Sequence, residues 1–523
     1  MLRNRSKRIE QKQKYLLVLA GFALSGLVAG AVTPAVAQAP FVDGQMKPAD
    51  QVEVVSRIPR SRGLPQLFGE DNLVSTKALD VESLLAEDAF QKGSGPQRMG
   101  VVQQFAPVLS SHDGRWTQLS DGGWLWTMSF VVPGARGVRL HIEPWRPPVD
   151  AELFIYSPDD PLAVRGPITI DYQPGGDDLW TPTLYAERVN LEYYLPPGSS
   201  RHAPGAQIAV TGLLNQYRPP VVGLDPVELA CHLDVSCYSV WQFEANGVAA
   251  LSYVSNQFGF FCSGALMNRI GGDFTPLLTT AFHCGVRANN AANMLATWFF
   301  QSASCNGTIP NLNTLPQTQG TTLLVLNNAN DYTLVGLSPA SLGGVTFTGW
   351  DAGTWADGAS TIIHHPRGTF KRITFGTKSG TWGSCIGGAG AGYAITNPNG
   401  NGEIEPGSSG SPVFDSFKRI RGTGSCANWQ CGVANAATYG RFDLAWSVLW
   451  PYLQPTDPVY VNASFGGTET GTAANPFDTL MEGNFAVLRG SEIFMQAGSY
   501  DEQLLLEKAV TLTAVGGSVV IGD

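Results

Sequence analysis

The sequence predicts an all-β chain of several folded blocks behind a removable leader, and three observations carry that expectation. Its 523 residues include 60 Gly and 34 Pro, enough turn formers for many short strands yet below the level of a low-complexity chain. Aromatic residues make up 10% and charged residues only 15%, which argues for β-structure and against disorder. Apolar and polar positions alternate with a period of two over short runs, such as residues 124–130 and 138–142. At about 150 residues per domain, the length allows three cores of ordinary size.

The leader comes first. Residues 1–14 carry six Lys or Arg against one Glu, an apolar stretch runs from Tyr15 to about Val32, and Ala35-Val36-Ala37 offers small residues for cleavage. Several Gly residues and the Ala-x-Ala site make residues 1–37 read as a removable signal peptide; the alternative is an uncleaved anchor, because roughly 17 apolar residues sit at the lower edge of a spanning helix. No other long apolar run follows, so the expected mature protein is secreted, extracellular and without a stable membrane span.

Residues 38–100 are polar, with one helix expected over 81–91. From Trp116 short alternating strands begin, with turns at Pro133-Gly134, Pro174-Gly175-Gly176 and Pro197-Gly198, and they end near Gln216. This is a cysteine-free antiparallel β-sandwich within a block spanning 38–228. Residues 229–454 again read as many short strands, closed by a helix over 442–452. Pro455 and Pro458 mark a linker, and 455–523 holds short apolar runs, among them Ile493-Phe494-Met495, Leu504-Leu505-Leu506 and Val519-Val520-Ile521. Their spacing of roughly 8–12 residues suggests coils of a parallel β-helix.

Charge separates these blocks. Residues 38–230 carry 15 basic against 23 acidic groups, 231–453 carry 10 against 10, and 454–523 carry 2 against 9. The net charge of −10 thus belongs to the flanks, and it excludes a generally basic nucleic-acid binder.

The neutral block holds the chemistry. All eight cysteines (Cys231, Cys237, Cys262, Cys284, Cys305, Cys385, Cys426 and Cys431) fall there, which in an exported chain reads as four disulfides. With no Cys-x-x-Cys, a metal site is not expected. Three segments stand out: Leu277-Leu278-Thr279-Thr280-Ala281-Phe282-His283-Cys284, Asn330-Asp331-Tyr332-Thr333-Leu334 and Glu405-Pro406-Gly407-Ser408-Ser409-Gly410-Ser411-Pro412-Val413. Nucleophilic hydrolysis needs a Ser, a His to take its proton, a carboxylate to orient the His, and N–H donors for the oxyanion. Of Ser408, Ser409 and Ser411, only Ser409 has Gly two before and Gly one after, so Gly407 and Ser409 supply the donors. Each segment alone is a common turn or structural feature. In the order His, Asp, Ser, which is that of chymotrypsin-type enzymes, they point together to a serine protease.

The same block resembles the lysyl endopeptidase family of bacterial trypsin-like serine proteases. The resemblance rests on Cys231-His232-Leu233-Asp234-Val235-Ser236-Cys237, residues 261–268, Thr280 through Gly285, Ile363-His364-His365-Pro366, Glu405 through Pro412 and Tyr439-Gly440-Arg441. It implies a chymotrypsin-like double β-barrel acting on protein or peptide substrates without a cofactor. It also implies His283 as general base, Asp331 as its orienting partner, Ser409 as nucleophile, and an oxyanion hole from Gly407 and Ser409. By the same resemblance Cys262–Cys284, Cys237–Cys305 and Cys231–Cys431 pair, which leaves Cys385 to Cys426. Thr423, Gly424, Ala437, Tyr439 and Gly440 are expected around the specificity pocket. Ser408 stands where digestive enzymes carry an Asp that captures a new N-terminal ammonium, so activation is not expected to depend on that ion pair.

One departure matters. Family members are expected to carry Asp two residues before Tyr-Gly-Arg, and here Ala437 stands there, with no acidic residue over 426–439. A buried cation without a counter-charge is strongly disfavoured, so a small or apolar P1 residue is expected rather than strict Lys. Asp351 and Asp357 are the acids that another loop alignment would bring in. His364 and His365, adjacent on a strand, point to opposite faces and are not expected to share a metal. The glycine run over 387–392 lacks the following Lys of a phosphate loop.

The flanks are read more coarsely. Block 38–228 sits where secreted proteases keep a propeptide, and around Leu179-Trp180-Thr181-Pro182 it resembles pro-regions of this family. It is expected to be an intramolecular inhibitor or folding aid, cleaved within 217–230; the alternative is a permanently attached accessory sandwich. The tail resembles the opening coils of pectate-lyase-like β-helices, but two basic residues do not make a lyase cleft. Surface or glycan contact, or a simple cap, is expected instead. The runner-up for the whole chain is a catalytically silent adhesion or binding protein on a protease fold.

Overall fold

The computed structural model describes residues 39–48, 58–90, 96–170, 177–203, 206–218, 231–338, 343–356, 358–383, 390–397, 402, 404–427, 435–502, 506 and 508–522. The expected leader lies outside them, and the chain from Ala39 onward forms one compact unit.

Two barrels close within the cysteine-bearing block. In the first, the strands Val248–Ser255, Phe258–Met267, Leu277–Thr280, Leu295–Thr297, Gln317–Asn327 and Tyr332–Leu337 form a ring, because Phe258–Met267 pairs with both Val248–Ser255 and Leu277–Thr280. Ala249, Leu251 and Tyr253, spaced by two, face its buried centre together with Leu278, Trp298 and Val335. In the second, Gly358–His364, Arg372–Trp382, Gly392–Asn397, Pro412–Phe414, Ile420–Ala427 and Asn435–Arg441 close through the pairing of the last two. Its centre holds Ile362, Tyr393, Ile395, Val413, Ala437 and Tyr439. The helix Phe442–Leu453 follows at the expected place and buries Phe442, Ala445, Leu449 and Tyr452 along one face.

Upstream, the sandwich packs two sheets. One contains Gln97–Ser110, Gly137–Ile142, Leu179–Trp180 and Ala209–Gln216; the other contains Leu73–Ser75, Arg115–Gln118, Trp124–Val131, Glu152–Tyr156, Val164–Ile168 and Arg188–Leu195. Met128, Phe130, Val138, Leu140, Leu153, Leu191 and Leu213 fill the space between them. The expected helix is present as Val81–Phe90.

The blocks are not separate bodies. Gln97–Ser110 pairs antiparallel with Phe258–Met267 of the first barrel, setting Gln97 opposite Phe261 and Val101 opposite Phe258. Sandwich and barrel therefore share one ten-stranded sheet. Side chains fasten the same interface: Arg139 donates to Asn293 O at 2.8 Å, Arg165 to Leu312 O and Leu315 O at 3.2 Å, and the Tyr185 N–H to Asn313 Oδ1 at 2.9 Å. The polar stretch near the start also docks. Phe41–Val42 pairs with Trp350–Asp351, and Gln45–Met46 pairs with Thr346–Phe347.

In the tail, Val459–Val461, Glu492–Tyr500 and Thr511–Ile521 run parallel, as a β-helix coil requires. Val459, Phe477, Phe485 and Ile493 share one buried cluster with Leu277, Tyr332 and Trp350 of the barrels. Arg269 donates to the carbonyls of Phe485, Ala486 and Val487, satisfying the C-terminal end of the helix Leu480–Ala486. Among the described residues no helix is long and apolar enough to cross a membrane.

Candidate active site

His283 sits just past the strand Leu277–Thr280, in a short turn capped by Gly285. The neighbouring Cys284 is bonded to Cys262, which anchors that turn to the barrel centre. Asp331 occupies the turn between Gln317–Asn327 and Tyr332–Leu337 at φ 60°, a left-handed conformation that Asp tolerates better than most residues. Its carboxylate is buried and accepts the His283 backbone N–H at 2.9 Å and the Nδ1–H at 2.7 Å. That second bond assigns the tautomer and leaves Nε2 as acceptor. Ser409, from the second barrel, places Oγ 2.7 Å from His283 Nε2.

The turn carrying Ser409 accepts only glycine at two points. Gly407 has φ 97°, and a Cβ there would lie 2.9 Å from His365 O. Gly410 has φ 81°, and its Cβ would meet Thr280 Oγ1 at 2.2 Å. The turn is fastened to the first barrel, since the Ser263 N–H donates to Ser409 O at 2.8 Å and Ser263 Oγ to Gly407 O at 2.9 Å. Among the described residues no acceptor takes the Gly407 or Ser409 N–H. Two donors are thus available beside the Ser409 hydroxyl, the arrangement an oxyanion needs.

Around this core, Ser425 and Arg367 were not singled out from the sequence, while Ser408, His364, His365, Glu405 and His232 take on contacts the sequence did not assign. Ser425 donates to Asp331 Oδ2 at 2.5 Å. Ser408 Oγ lies 2.7 Å from His364 Nδ1, and Glu405 meets both His232 and Arg367. His364 and His365 face different surroundings: His364 Nε2 lies 3.1 Å from Thr374 Oγ1, while His365 stacks on Phe300 and its Nδ1 meets Thr369 O at 2.9 Å. Burial holds both imidazoles neutral, pushing His364 well below its ordinary range and His365 down to about 3.

The residues expected around the specificity pocket lie on two paired strands, with Thr423 opposite Gly440, Gly424 opposite Tyr439 and Ala427 opposite Ala437. Ala437 is buried beside Ile395 and Tyr439. Asp351 is engaged elsewhere, 2.6 Å from Arg421, and Asp357 lies outside the described residues. Of the disulfides, Cys237–Cys305 and Cys262–Cys284 are formed. Cys231 and Cys426 are also disulfide-bonded, whereas Cys385 and Cys431 lie outside the described residues, as do the cleavage window from 219 to 230 and residues 387–389 of the glycine run. In the tail, Glu469, Asp478 and Glu482 bring carboxylate oxygens within 4.8 Å of one another.

A family model described as the lysyl endopeptidase C-terminal domain matches residues 228–443, and one for the lysyl endopeptidase N-terminal domain matches residues 75–211. Solved structures with similarity include a thermostable serine protease AL20 from an extremophilic microorganism (14% identity, 39% of this chain and 96% of that one, TM-score 0.28). Deg5 is similar at 18% identity over 42% of this chain and 94% of its own, with TM-score 0.28. Rv3671c from M. tuberculosis H37Rv, as an inactive Ser343Ala mutant, is similar at 13% identity over 46% and 98%, also with TM-score 0.28. Two closed six-stranded barrels with this family match define a chymotrypsin-fold serine endopeptidase, acting on protein or peptide substrates. The two matched segments together span more than half of the sequence, and the chain belongs to the lysyl endopeptidase family.

Proposed function

We propose that this endopeptidase cleaves through Ser409, His283 and Asp331 by way of an acyl-enzyme. The pair of 2.7 Å contacts that link Asp331, His283 and Ser409 in series carries this reading. Ser409 Oγ attacks the scissile carbonyl carbon as its proton passes to His283 Nε2, and Asp331 stabilises the resulting imidazolium. The oxyanion accepts hydrogen bonds from the Gly407 and Ser409 N–H groups. His283 then protonates the leaving amine, and water repeats the sequence on the acyl-enzyme to release the acid. A fluorophosphonate probe tests this. Labelling is expected in the processed wild type and absent in Ser409→Ala; labelling that survives the substitution rejects Ser409 as nucleophile, and an unlabelled wild type favours the silent binding protein.

The preferred P1 residue is small or apolar. The support is Ala437, buried beside Ile395 and Tyr439, and the lack of an acidic residue in the described strands Ile420–Ala427 and Asn435–Arg441. A peptide-library profile checks it. Cleavage confined to Lys overturns it and leaves Asp357 as the acid to test, since Asp351 pairs with Arg421.

Residues 1–37 act as a signal peptide, 38–228 as a pro-region that inhibits its own protease, 229–454 as the protease and 455–523 as a cap. Inhibition is supported by the position of Gln97 opposite Phe261, one residue before the Cys262 that is bonded to Cys284. The cap is supported by the cluster that the tail shares with the barrels, and glycan or surface contact is the competing role. N-terminal sequencing of secreted protein is expected to give a start within 218–231. A start near residue 38 makes the sandwich a permanent accessory domain.

A further inference from the structure

Glu405 stands at the entrance of the turn that carries the oxyanion donors, and its carboxylate is almost wholly buried, with 6% exposure. A buried charge persists only when it is paired. Two groups pair it. Arg367 Nη2 lies 2.6 Å from Oε1, and His232 Nε2 lies 2.8 Å from Oε2. Arg367 approaches from the solvent side, 40% exposed, and its backbone N–H donates to Pro406 O at 2.7 Å. His232 approaches from inside. Its side chain has no exposure, and its Nδ1 has no hydrogen-bond partner among the described residues, so Glu405 is its one polar attachment there.

From Glu405 the order passes directly into the turn. Glu405 O accepts the Ser408 N–H at 2.9 Å, and Ser408 Oγ, 3.3 Å from the Glu405 N–H, lies 2.7 Å from His364 Nδ1. Pro406 and Gly407 are spanned between these fixed points. Ser408 carries no carboxylate, so no ion pair at that position orders the turn. The charge is supplied three residues earlier, by Glu405. We propose that His232, at the start of the protease block and 173 residues away in sequence, is a positioning residue: by holding Glu405 it fixes the orientation of the Gly407 and Ser409 N–H donors. The order of the oxyanion hole is thereby tied to the order of the segment that begins the protease block.

This inference rests on the reading of Ser409 as nucleophile, and its test separates the two. His232→Phe keeps the ring volume and removes the donor; His232→Gln returns an N–H that reaches Glu405; Glu405→Gln removes the charge. Each is made in the full-length chain and assayed on a peptide amide after processing. Donors aimed at the oxyanion act on the transition state, so His232→Phe is expected to lower kcat about tenfold or more with KM within about threefold. His232→Gln is expected to recover kcat to within about threefold of wild type, and Glu405→Gln to lower it in the same sense as His232→Phe. An unchanged kcat in His232→Phe, a loss confined to KM, or a loss that His232→Gln fails to rescue at an unchanged melting temperature each overturns the proposal. Where His232→Phe does not accumulate, Glu405→Gln is judged by the same split between kcat and KM. A wild type that resists the fluorophosphonate probe rejects the Ser409 reading instead.

Discussion

Ser425 donates its hydroxyl to Asp331 Oδ2 across the groove between the barrels. Asp331 belongs to the first barrel and Ser425 to the second, so one short contact sets the carboxylate and links the halves that carry His283 and Ser409. With the two bonds from His283, this carboxylate accepts three. A hydrogen bond to a charged group is worth about 1.5–3 kcal/mol. Ser425→Ala is expected to lower kcat/KM about tenfold, while Asp331→Asn, which reverses the imidazole tautomer, is expected to cost about 10⁴ in kcat. Steady-state kinetics on one peptide amide compare them, and a Ser425→Ala enzyme equal to wild type would show that two bonds to Asp331 suffice.

On the proposed reading of the pocket, Ala437 is the position where specificity is open to change. A carboxylate placed there is buried next to Ile395 and Tyr439, and without a cation it is strongly penalised. Ala437→Asp is therefore expected to lower the melting temperature and, at the same time, to raise the preference for Lys over Ala at P1 by about 100-fold or more. Competition between two peptides that differ only at P1 measures the ratio. An unmoved ratio places the pocket floor elsewhere.

The two adjacent buried histidines are expected to make the fold acid-sensitive. Burial lowers His365 to about 3 and moves His364 in the same direction. Between pH 6.5 and 3 the unfolded chain binds a proton at His365 that the folded chain refuses, so stability is intact above about pH 6.5 and is lost as pH falls through that window. The slope from one such site reaches about 1.4 kcal/mol per pH unit. His365→Phe, whose ring continues the stack on Phe300, is expected to flatten the dependence of the urea midpoint between pH 7 and 4 in a Ser409→Ala background. An unchanged slope removes His365 as its source.

The tail should respond in the opposite sense. Burial first, and then the neighbouring Glu469 and Asp478, raise the Glu482 carboxyl well above its ordinary range. The folded chain thus keeps a proton that the unfolded chain releases above about pH 4.5, and stability from this group is lost as pH rises beyond that point. Glu482→Gln is expected to slow protease nicking of the tail at pH 8 while changing little at pH 5. Equal nicking of both forms at pH 8 rejects the effect.

Short motifs made the core of the site legible. His283, Asp331 and Ser409 stand in segments whose composition is set by chemistry, and the two Gly residues flanking Ser409 are required by turns that admit no Cβ. Ser425 left no comparable signal, because a Ser in a strand pattern is compatible with any polar exposure and only closure of the second barrel brings it to Asp331. The pairing of His232 with Glu405 was invisible for the same reason: two residues 173 positions apart meet through topology, not pattern. Alternation located the sandwich strands from Trp116 onward, but it missed Leu73–Ser75 and Gln97–Ser110, which precede that point in stretches with no clear period of two. It could not show that Gln97–Ser110 continues the sheet of the first barrel, since a strand edge presents the same backbone donors and acceptors whichever partner it finds.

That shared sheet bears on what cutting the chain achieves. The rungs from Val101–Phe258 to Gln97–Phe261, the bonds from Arg139 and Arg165 to barrel carbonyls, and the arm of residues 41–46 against Thr346–Asp351 are all independent of the peptide bonds between 218 and 231. Hydrolysis there turns one molecule into two without parting them. A nicked sample is expected to elute from a sizing column as a single particle and to run as two bands on a denaturing gel. On the proposal that the sandwich inhibits, activation is then timed by the off-rate of a β-edge; dilution and destruction of the freed sandwich prevent its return, and faster cutting does not hasten its departure.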